Sequence, residues 1–464
     1  MALMTSDKEL DYSAACAYIE DAAKLGSRPG LERIGALCKL LGNPQDELRF
    51  IHIAGTNGKG STSCMISSIL SEAGLKIGMY TSPAVAGIRD HYRISGELIS
   101  ESDYASAVSA VAYANETLIK DSGEGATQFE LETAVSFTYF GKNHCDVVIL
   151  ECGMGGRDDA TNIVRNKICC VITSVSRDHM QYLGDTLTEI AAIKAGIITS
   201  DCPVIALDQN PEVTRVLTDR CRTKGARLYL VNPDSISSKD AFPLGQIITC
   251  EDIDDAILCM GGTFQAENAA LAVRTVCAIR DHNLIGECRI DEGTIRSGLK
   301  AAKWPYRFEL LRSDPLVFVD GAHNEDAASK LFDTIQRYLK GYQTILVMGV
   351  FADKEYDRVL NILSPAASLI LTVETPDNPR ALPAKELAMC AEKYCESVTA
   401  CRSIREAYEL AQRSASACTD KGERAAIVAC GSLSYLKIFK DVVLESDDIG
   451  GAAHDGKSKQ DNQE

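Results

Sequence analysis

From Arg49 onward the chain alternates short apolar runs with longer stretches whose apolar positions recur at helical spacing: RFIHIAG, then STSCMISSILSEAG, then KIGMYTS. A short β-rich run bounded by turn residues suits a buried strand, and a period of about 3.6 residues suits a helix packed on one face. The rhythm returns at DVVILECG, KICCVITSVS and CPVIALD, and later at PLVFVDGAHN, QTILVMGV, ASLILTVETP and RAAIVACGS. Strand, helix, strand in repetition predicts an α/β fold with a mostly parallel sheet. Cys288 to Pro305 reads as a connecting helix followed by Trp304 and Pro305, after which a fresh β/α series begins. The expected organisation is one α/β domain over residues 1–300 and a smaller, Rossmann-like α/β domain over 301–445. The polar segment 446–464 has no periodicity and is expected to be a disordered tail.

Composition narrows the partners. Against 65 Asp plus Glu stand 48 Lys plus Arg, a net charge of −17 over 464 residues. Such a surface repels phosphate backbones, which argues against nucleic acid and leaves small molecules or proteins. The 18 cysteines are scattered, without a CxxC pair or a cluster with histidine, so reduced thiols are expected rather than a disulfide framework or structural zinc. The N-terminal stretch mixes acids into an apolar face, unlike a signal peptide, and no apolar run approaches the roughly 20 residues of a membrane span. A cytoplasmic protein with no membrane partner is expected.

The segment IHIAGTNGKGSTSCMISSIL carries the first chemistry: a strand, a turn holding Gly55, Gly58, Lys59 and Gly60, and a helix opening at Ser61 or Thr62. Glycines let backbone N–H groups wrap a phosphate, the helix N-terminus adds its positive end, and the lysine reaches the outer phosphates. A P-loop-type ATPase domain follows, with Thr56, Asn57, Gly58, Lys59, Gly60 and Ser61 around the nucleotide. The plainer alternative is a glycine-rich turn after a buried strand, which the coincidence of a lysine and three glycines with a strand-to-helix change outweighs. The loop departs from GxxxxGK[ST] twice: Ile53 replaces the first glycine, and Gly60 has no hydroxyl to offer a magnesium ion.

GTNGKGS with glycine after the lysine resembles the variant loop of folylpolyglutamate synthases and dihydrofolate synthases, members of the Mur ligase superfamily. In that family's order follow GLERIGALCKLLGNPQ from Gly30, YTSP, QFELETAVSF, DVVILECGMGGRDDATNIV, RDHMQYLGDTLTEIAAIKAGI, QAENAALAV, FVDGAHN, FADKEYD and CGSLSYL, covering Gly30 to Leu436. The resemblance implies a Mur-ligase-like ATP-binding domain, a C-terminal glutamate-ligase domain, and a monomer that adds L-glutamate to a folate, and also to dihydropteroate in bifunctional members. ATP is the co-substrate and two Mg²⁺ ions the cofactors. Activation of a carboxylate by phosphoryl transfer asks for charge neutralisation and positioning.

The resemblance places Mg²⁺ on Ser82, Glu151 and His179, with Ser82 supplying the hydroxyl that Gly60 lacks. From position alone, Glu151 at the end of DVVILE could equally be a helix N-cap partner or a salt-bridge residue, and a lone histidine is ordinarily a structural one. Lys194 matches a lysine that becomes a carbamate and binds a second Mg²⁺, while Ile193 stands where the family commonly has Glu. A lysine at a helix edge could instead snorkel to water. Asn268, Arg307 and Asp320 match ATP-contacting residues, with a helix cap and an Arg–Asp ion pair as the alternatives, and the family closes its domains over the nucleotide. His323 is the candidate that orients the incoming glutamate. The catalytic set is thus Lys59, His179, Lys194 and His323.

Arg28, Pro29, Thr127 and Asp158 match the acid-substrate side, with loop structure as the alternative for each. Two departures fall there: Ala84 replaces the histidine of TSPHL, and Asp90–His91 aligns with a Glu-Arg pair. Besides folate ligation, the residues leave open a Mur-type ligase for another acid and amino acid, and a nucleotide-binding module without catalysis.

Overall fold

The computed structural model describes residues 9–178, 180–199, 202–240, 245–286 and 288–455. The described residues form two compact units, within Met1–Lys239, Ile247–Cys259 and Gln265–Lys303 for the first, and Asp240–Gln246, Met260–Phe264 and Trp304–Glu464 for the second.

The first unit is built on eight strands: β1 (Phe50–Ala54), β2 (Ile77–Tyr80), β3 (Tyr92–Ile94), β4 (Glu97–Leu98), β5 (Val147–Glu151), β6 (Lys167–Ile172), β7 (Val204–Leu207) and β8 (Leu228–Val231). Their order is β4-β3-β2-β5-β1-β6-β7-β8. All neighbours from β2 to β8 pair in parallel, and β3 and β4 add an antiparallel edge. Every residue of β1, β5 and β6 is buried, which is why these strands read as continuous apolar runs rather than alternating ones. Ile53 of β1 lies opposite Glu151 of β5 and Val171 of β6, so three neighbouring strands end level and deliver their loops to one rim. That rim, beyond the carboxyl ends of parallel strands, is where open α/β sheets bind ligands.

The helix Lys59–Glu72 follows β1, and its buried Ser61–Ile66 stretch lies against the sheet and the helices Gln265–Asp281 and Glu292–Ala301. A small sheet that the apolar rhythm does not predict, β9 (Ser237–Asp240), β10 (Gln246–Cys250) and β11 (Ile253–Leu258), has order β11-β10-β9. Its strands mix buried with partly or fully exposed positions, and no residue of β9 is buried, so none of them is a continuous buried run.

The second unit holds β12 (Glu309–Ser313), β13 (Leu316–Val319), β14 (Tyr342–Met348), β15 (Leu369–Thr372), β16 (Val398–Ala400) and β17 (Arg424–Cys430), in the order β12-β13-β17-β14-β15-β16. Only β12 runs antiparallel. The final helix is Leu433–Asp455, so the segment expected to be a disordered tail is helical from 446 to 455. Tyr435, Leu436, Phe439 and Val443 anchor the helix in the core, and each further residue then costs little to add. The rest of that segment, 456–464, lies outside the described residues. Among the described residues no helix is long and apolar enough to cross a membrane.

Candidate active site of the first unit

The loop after β1 is tied down on one side by the segment that follows β6. Thr56 N–H donates to Ser174 O at 2.6 Å, Thr56 Oγ1 donates to Ser176 O and accepts from its N–H, both at 3.0 Å, and Thr173 Oγ1 donates to Asn57 O at 2.7 Å. Gly58 has φ +86° directly before the helix, a conformation that glycine adopts freely. A Cβ there would also collide with Asn268 Oδ1. Asn268 is thus brought to the nucleotide loop from inside the helix Gln265–Asp281; it does not cap that helix, and its Nδ2 donates to Gln265 Oε1 at 2.9 Å. Ser61 is buried and accepts from Gln265 Nε2 at 3.3 Å.

Three ionisable side chains converge beneath this loop. Lys59 Nζ donates to Thr56 O at 3.2 Å and lies 3.7 Å from Glu151 Oε1. Glu151, the last residue of β5, is only 3% exposed. Both readings of that glutamate therefore meet in one place: it is a salt-bridge residue, and its partner is the P-loop lysine. Lys194, also 3% exposed, ends the helix Leu187–Lys194 and donates from Nζ to Gly55 O at 2.8 Å. It does not snorkel. Burial, and after it the charge of Lys59, pushes its pKa down to about 7, so much of it is neutral at physiological pH.

Ser82 follows β2 and is half-buried. His179 lies outside the described residues. Among the described residues no group of three or more His, Cys, Asp or Glu side chains is gathered to hold a metal. The donors present here still suit Mg²⁺, a hard cation that takes oxygen ligands: a buried carboxylate and a hydroxyl. Lys194 donates to Gly55 O and, without further modification, offers no oxygen ligand.

The loop after Glu151 is organised by a residue the sequence reading passed over. Asp159 accepts from Met154 N–H at 2.8 Å, Thr161 N–H at 3.0 Å and Thr161 Oγ1 at 2.5 Å, and burial raises its pKa while these bonds lower it. Behind it the fully buried His52 lies 2.9 Å from Thr161 Oγ1 and 3.2 Å from Cys152 Sγ, its pKa pushed well below the usual range by burial and by Lys167. Asp158, the predicted substrate contact, instead turns outward and pairs with Arg157 at 3.0 Å, its side chain 48% exposed. The DD doublet offered no signal to choose between the two.

The four acid-side candidates are brought together. Gly30 N–H donates to Asp158 O at 3.2 Å, next to the exposed Arg28 and Pro29. Arg33 Nη2 donates to Arg28 O at 2.6 Å and its Nε to Glu130 Oε2 at 3.2 Å, and Glu130 closes a capping box with Thr127. Thr127 is 5% exposed and its hydroxyl is engaged in that cap. The Phe129 ring covers Gly153, joining this cluster to the Glu151 loop.

In the second unit, Asp320 follows β13 and is 3% exposed, with Oδ2 accepting from Phe308 N–H at 2.8 Å and Oδ1 from Ala322 N–H at 2.9 Å. Burial raises its pKa, and Arg307 opposes that rise. A Cβ on Gly321 would strike Arg307 Nη1, and His323 Nδ1 lies 2.8 Å from Gly321 O, so Arg307, Asp320 and His323 share one turn.

Known proteins match both units. Residues 53–275 match the Mur ligase middle domain, and residues 306–433 match the Mur ligase, glutamate ligase domain. The dihydrofolate synthase/folylpolyglutamate synthase of Bacillus subtilis is 35% identical over 390 residues, 82% of this chain and 89% of that protein. The folylpolyglutamate synthase of Lacticaseibacillus casei is 34% identical over 380 residues, 81% of this chain and 88% of that protein. The Mycobacterium tuberculosis folylpolyglutamate synthase, solved with ADP and AMPPCP, superposes with a TM-score of 0.84 at 30% identity, covering 94% of this chain and 98% of that one. With the nucleotide loop, its lysine–glutamate pair and both domain matches in place, the chain belongs to the folylpolyglutamate synthase/dihydrofolate synthase family of ATP-dependent ligases.

Proposed function

We propose that the protein joins L-glutamate to the carboxylate of a folate or of dihydropteroate at the expense of ATP. A carboxylate oxygen of the acid attacks the γ-phosphorus and ADP leaves, giving an acyl phosphate. The glutamate amine then attacks the acyl carbon, phosphate leaves, and the amine loses a proton as the amide forms. The observation that carries this reading is the 3.7 Å pair between Lys59, which opens the helix after β1, and Glu151, which ends the adjacent parallel strand β5. The lysine can pass from the acid to the γ-phosphate when nucleotide arrives.

Thr56, Asn57, Gly58, Gly60, Ser61 and Asn268 line the nucleotide, and Arg28, Pro29 and Asp158 the acid, with Thr127 acting through the cap that shapes that surface. Arg307 serves ATP binding, with Asp320 acting through the turn that presents it, and His323 serves the glutamate. Glu151 and Ser82 would hold Mg²⁺ together with His179, and Lys194 would join a second ion as a carbamate. When bound, Mg²⁺ supplies charge neutralisation on the phosphates. The neutral fraction of Lys194 is the form that reacts with CO₂, and a carbamate nitrogen keeps one N–H for Gly55 O.

The test is ADP release with ATP, L-glutamate and either tetrahydrofolate or dihydropteroate. Release requiring both the acid and glutamate is expected. Release with neither acid, but with a cell-wall precursor carboxylate and its amino acid, would assign the chain to the Mur-type alternative.

A further inference from the structure

His91 is one of the two departures from the family pattern, and its surroundings give it a task. Its main-chain oxygen accepts from Thr81 N–H at 3.2 Å, continuing the pairing of β2 with β3, and its ring Nδ1 lies 2.6 Å from Thr81 O. A carbonyl only accepts, so Nδ1 carries the hydrogen and donates. The other ring nitrogen faces Glu132 Oε2 at 3.8 Å, and Glu132 is itself held by Gln128 Nε2 at 2.8 Å. Tyr80 and Tyr92 flank the imidazole, with ring centroids 5.8 and 5.7 Å away. His91 and Glu132 are 5% and 4% exposed. The ring is therefore held in a single orientation, and both polar main-chain atoms of Thr81 are fixed by the same residue.

Thr81 immediately precedes Ser82. Beyond it the chain enters a partly exposed loop, whose own ties, Ala86 N–H to Asp90 Oδ2 at 2.6 Å and Asp90 to Arg93 at 3.0 Å, lie at its far end. Among the described residues, the imidazole is the side chain that bonds the Thr81 carbonyl. We propose that His91 is a positioning residue: through its Nδ1 bond to the Thr81 carbonyl it sets the direction in which the Ser82 hydroxyl leaves the chain, and so the affinity of the metal site that Ser82 completes. The proposal rests on the reading of Ser82 as a Mg²⁺ ligand. Groups that orient a metal's ligands without touching the metal commonly control its affinity.

Two amide substitutions separate the nitrogens of the ring. The amide nitrogen of His91→Asn falls near the place of Nδ1 and keeps the bond to Thr81 O, whereas that of His91→Gln falls near Nε2, toward Glu132. Hydrogen exchange of the backbone amides of residues 81–92 in metal-free protein reads how firmly the Thr81–His91 corner is held, through the Thr81 N–H bond to His91 O, and Mn²⁺ affinity in the presence of the unreactive AMPPCP reads its consequence. His91→Gln is expected to exchange faster at Thr81 and to bind Mn²⁺ about tenfold more weakly, with His91→Asn staying within about twofold of the parent. Equal behaviour of the two variants, or the reverse order, overturns the proposal. Glu132→Gln leaves the Nδ1 bond in place and is expected to keep parental exchange at Thr81; faster exchange there would assign the control to Glu132 and overturn it as well. Ser82→Ala separates the two layers. Parental Mn²⁺ affinity in that variant removes Ser82 from the metal site, whereas weakened binding in it beside parental affinity in His91→Gln overturns the role of His91 alone.

Discussion

Glu151 and Asp320 occupy like places in the two units. Each is a carboxylate at the carboxyl end of a buried parallel strand, and each is 3% exposed. Their partners differ. Glu151 faces the end of a flexible lysine side chain at 3.7 Å, while Asp320 spends one oxygen on Phe308 N–H and the other on Ala322 N–H. A lysine can be drawn off by an arriving phosphate, but two backbone amides cannot move without unfolding the turn that carries them. The strand-end rule thus finds both positions, and the identity of the facing groups decides which carboxylate is available to chemistry and which one holds architecture.

Substitution should split the two. Glu151→Gln keeps the volume and loses the charge, and turnover is expected to fall about 100-fold or more, judged by ADP release, with thermal melting little changed. Asp320→Asn replaces one accepting oxygen with an amide that faces an N–H, and is expected to cost about 1–3 kcal/mol of stability in a denaturant titration. If Asp320→Asn lost turnover at full stability, the contrast would fail.

The lysines sharpen the same contrast. Lys194 is held near 7 by burial, whereas in the unfolded chain it titrates at the ordinary 10.5. Between those values the unfolded chain binds the extra proton, so stability rises with pH there, by about 1.4 kcal/mol per unit at the steepest, and is flat below the folded value where both states are charged. In CO₂-depleted buffer, Lys194→Met is expected to remove that slope from stability measured at several pH values between these limits. Equal slopes in parent and variant would show that the lysine is not buried as described. Thr127→Ala should have the smallest effect, about 1 kcal/mol in melting or denaturant experiments, through loss of the capping box. A larger change in the KM for the acid than in stability would give Thr127 a direct contact with substrate.

The inner strands of the parallel sheets were legible because burial on both faces leaves continuous apolar runs, and the runs named from the sequence at Phe50, Val147, Lys167, Leu316 and Arg424 all begin strands, whereas the partly exposed edge strands β8 and β16 were not. The β9–β11 sheet was not legible either, because its strands carry exposed charged residues such as Asp254 and Asp255. Lys59, Glu151 and Lys194 were legible through their place after apolar runs and through the resemblance, and the structure brings them under one loop. Asp158 and Asp159 show the limit. Which of two adjacent aspartates turns inward depends on Met154 and Thr161, whose amides and hydroxyl the buried one satisfies, and no single-residue pattern encodes that pairing. His52 was passed over for the same reason: inside an apolar strand it looks like core, and only the fold sets Thr161 and Cys152 against its ring.

The central claim is that an amide bond to glutamate is made here at the expense of ATP. Mass spectrometry of the acid after incubation with ATP, Mg²⁺ and L-glutamate tests it most directly. The account predicts tetrahydrofolate or dihydropteroate heavier by one glutamyl residue, in step with ADP and abolished in Glu151→Gln. ADP formed with no change in the mass of either acid would contradict it.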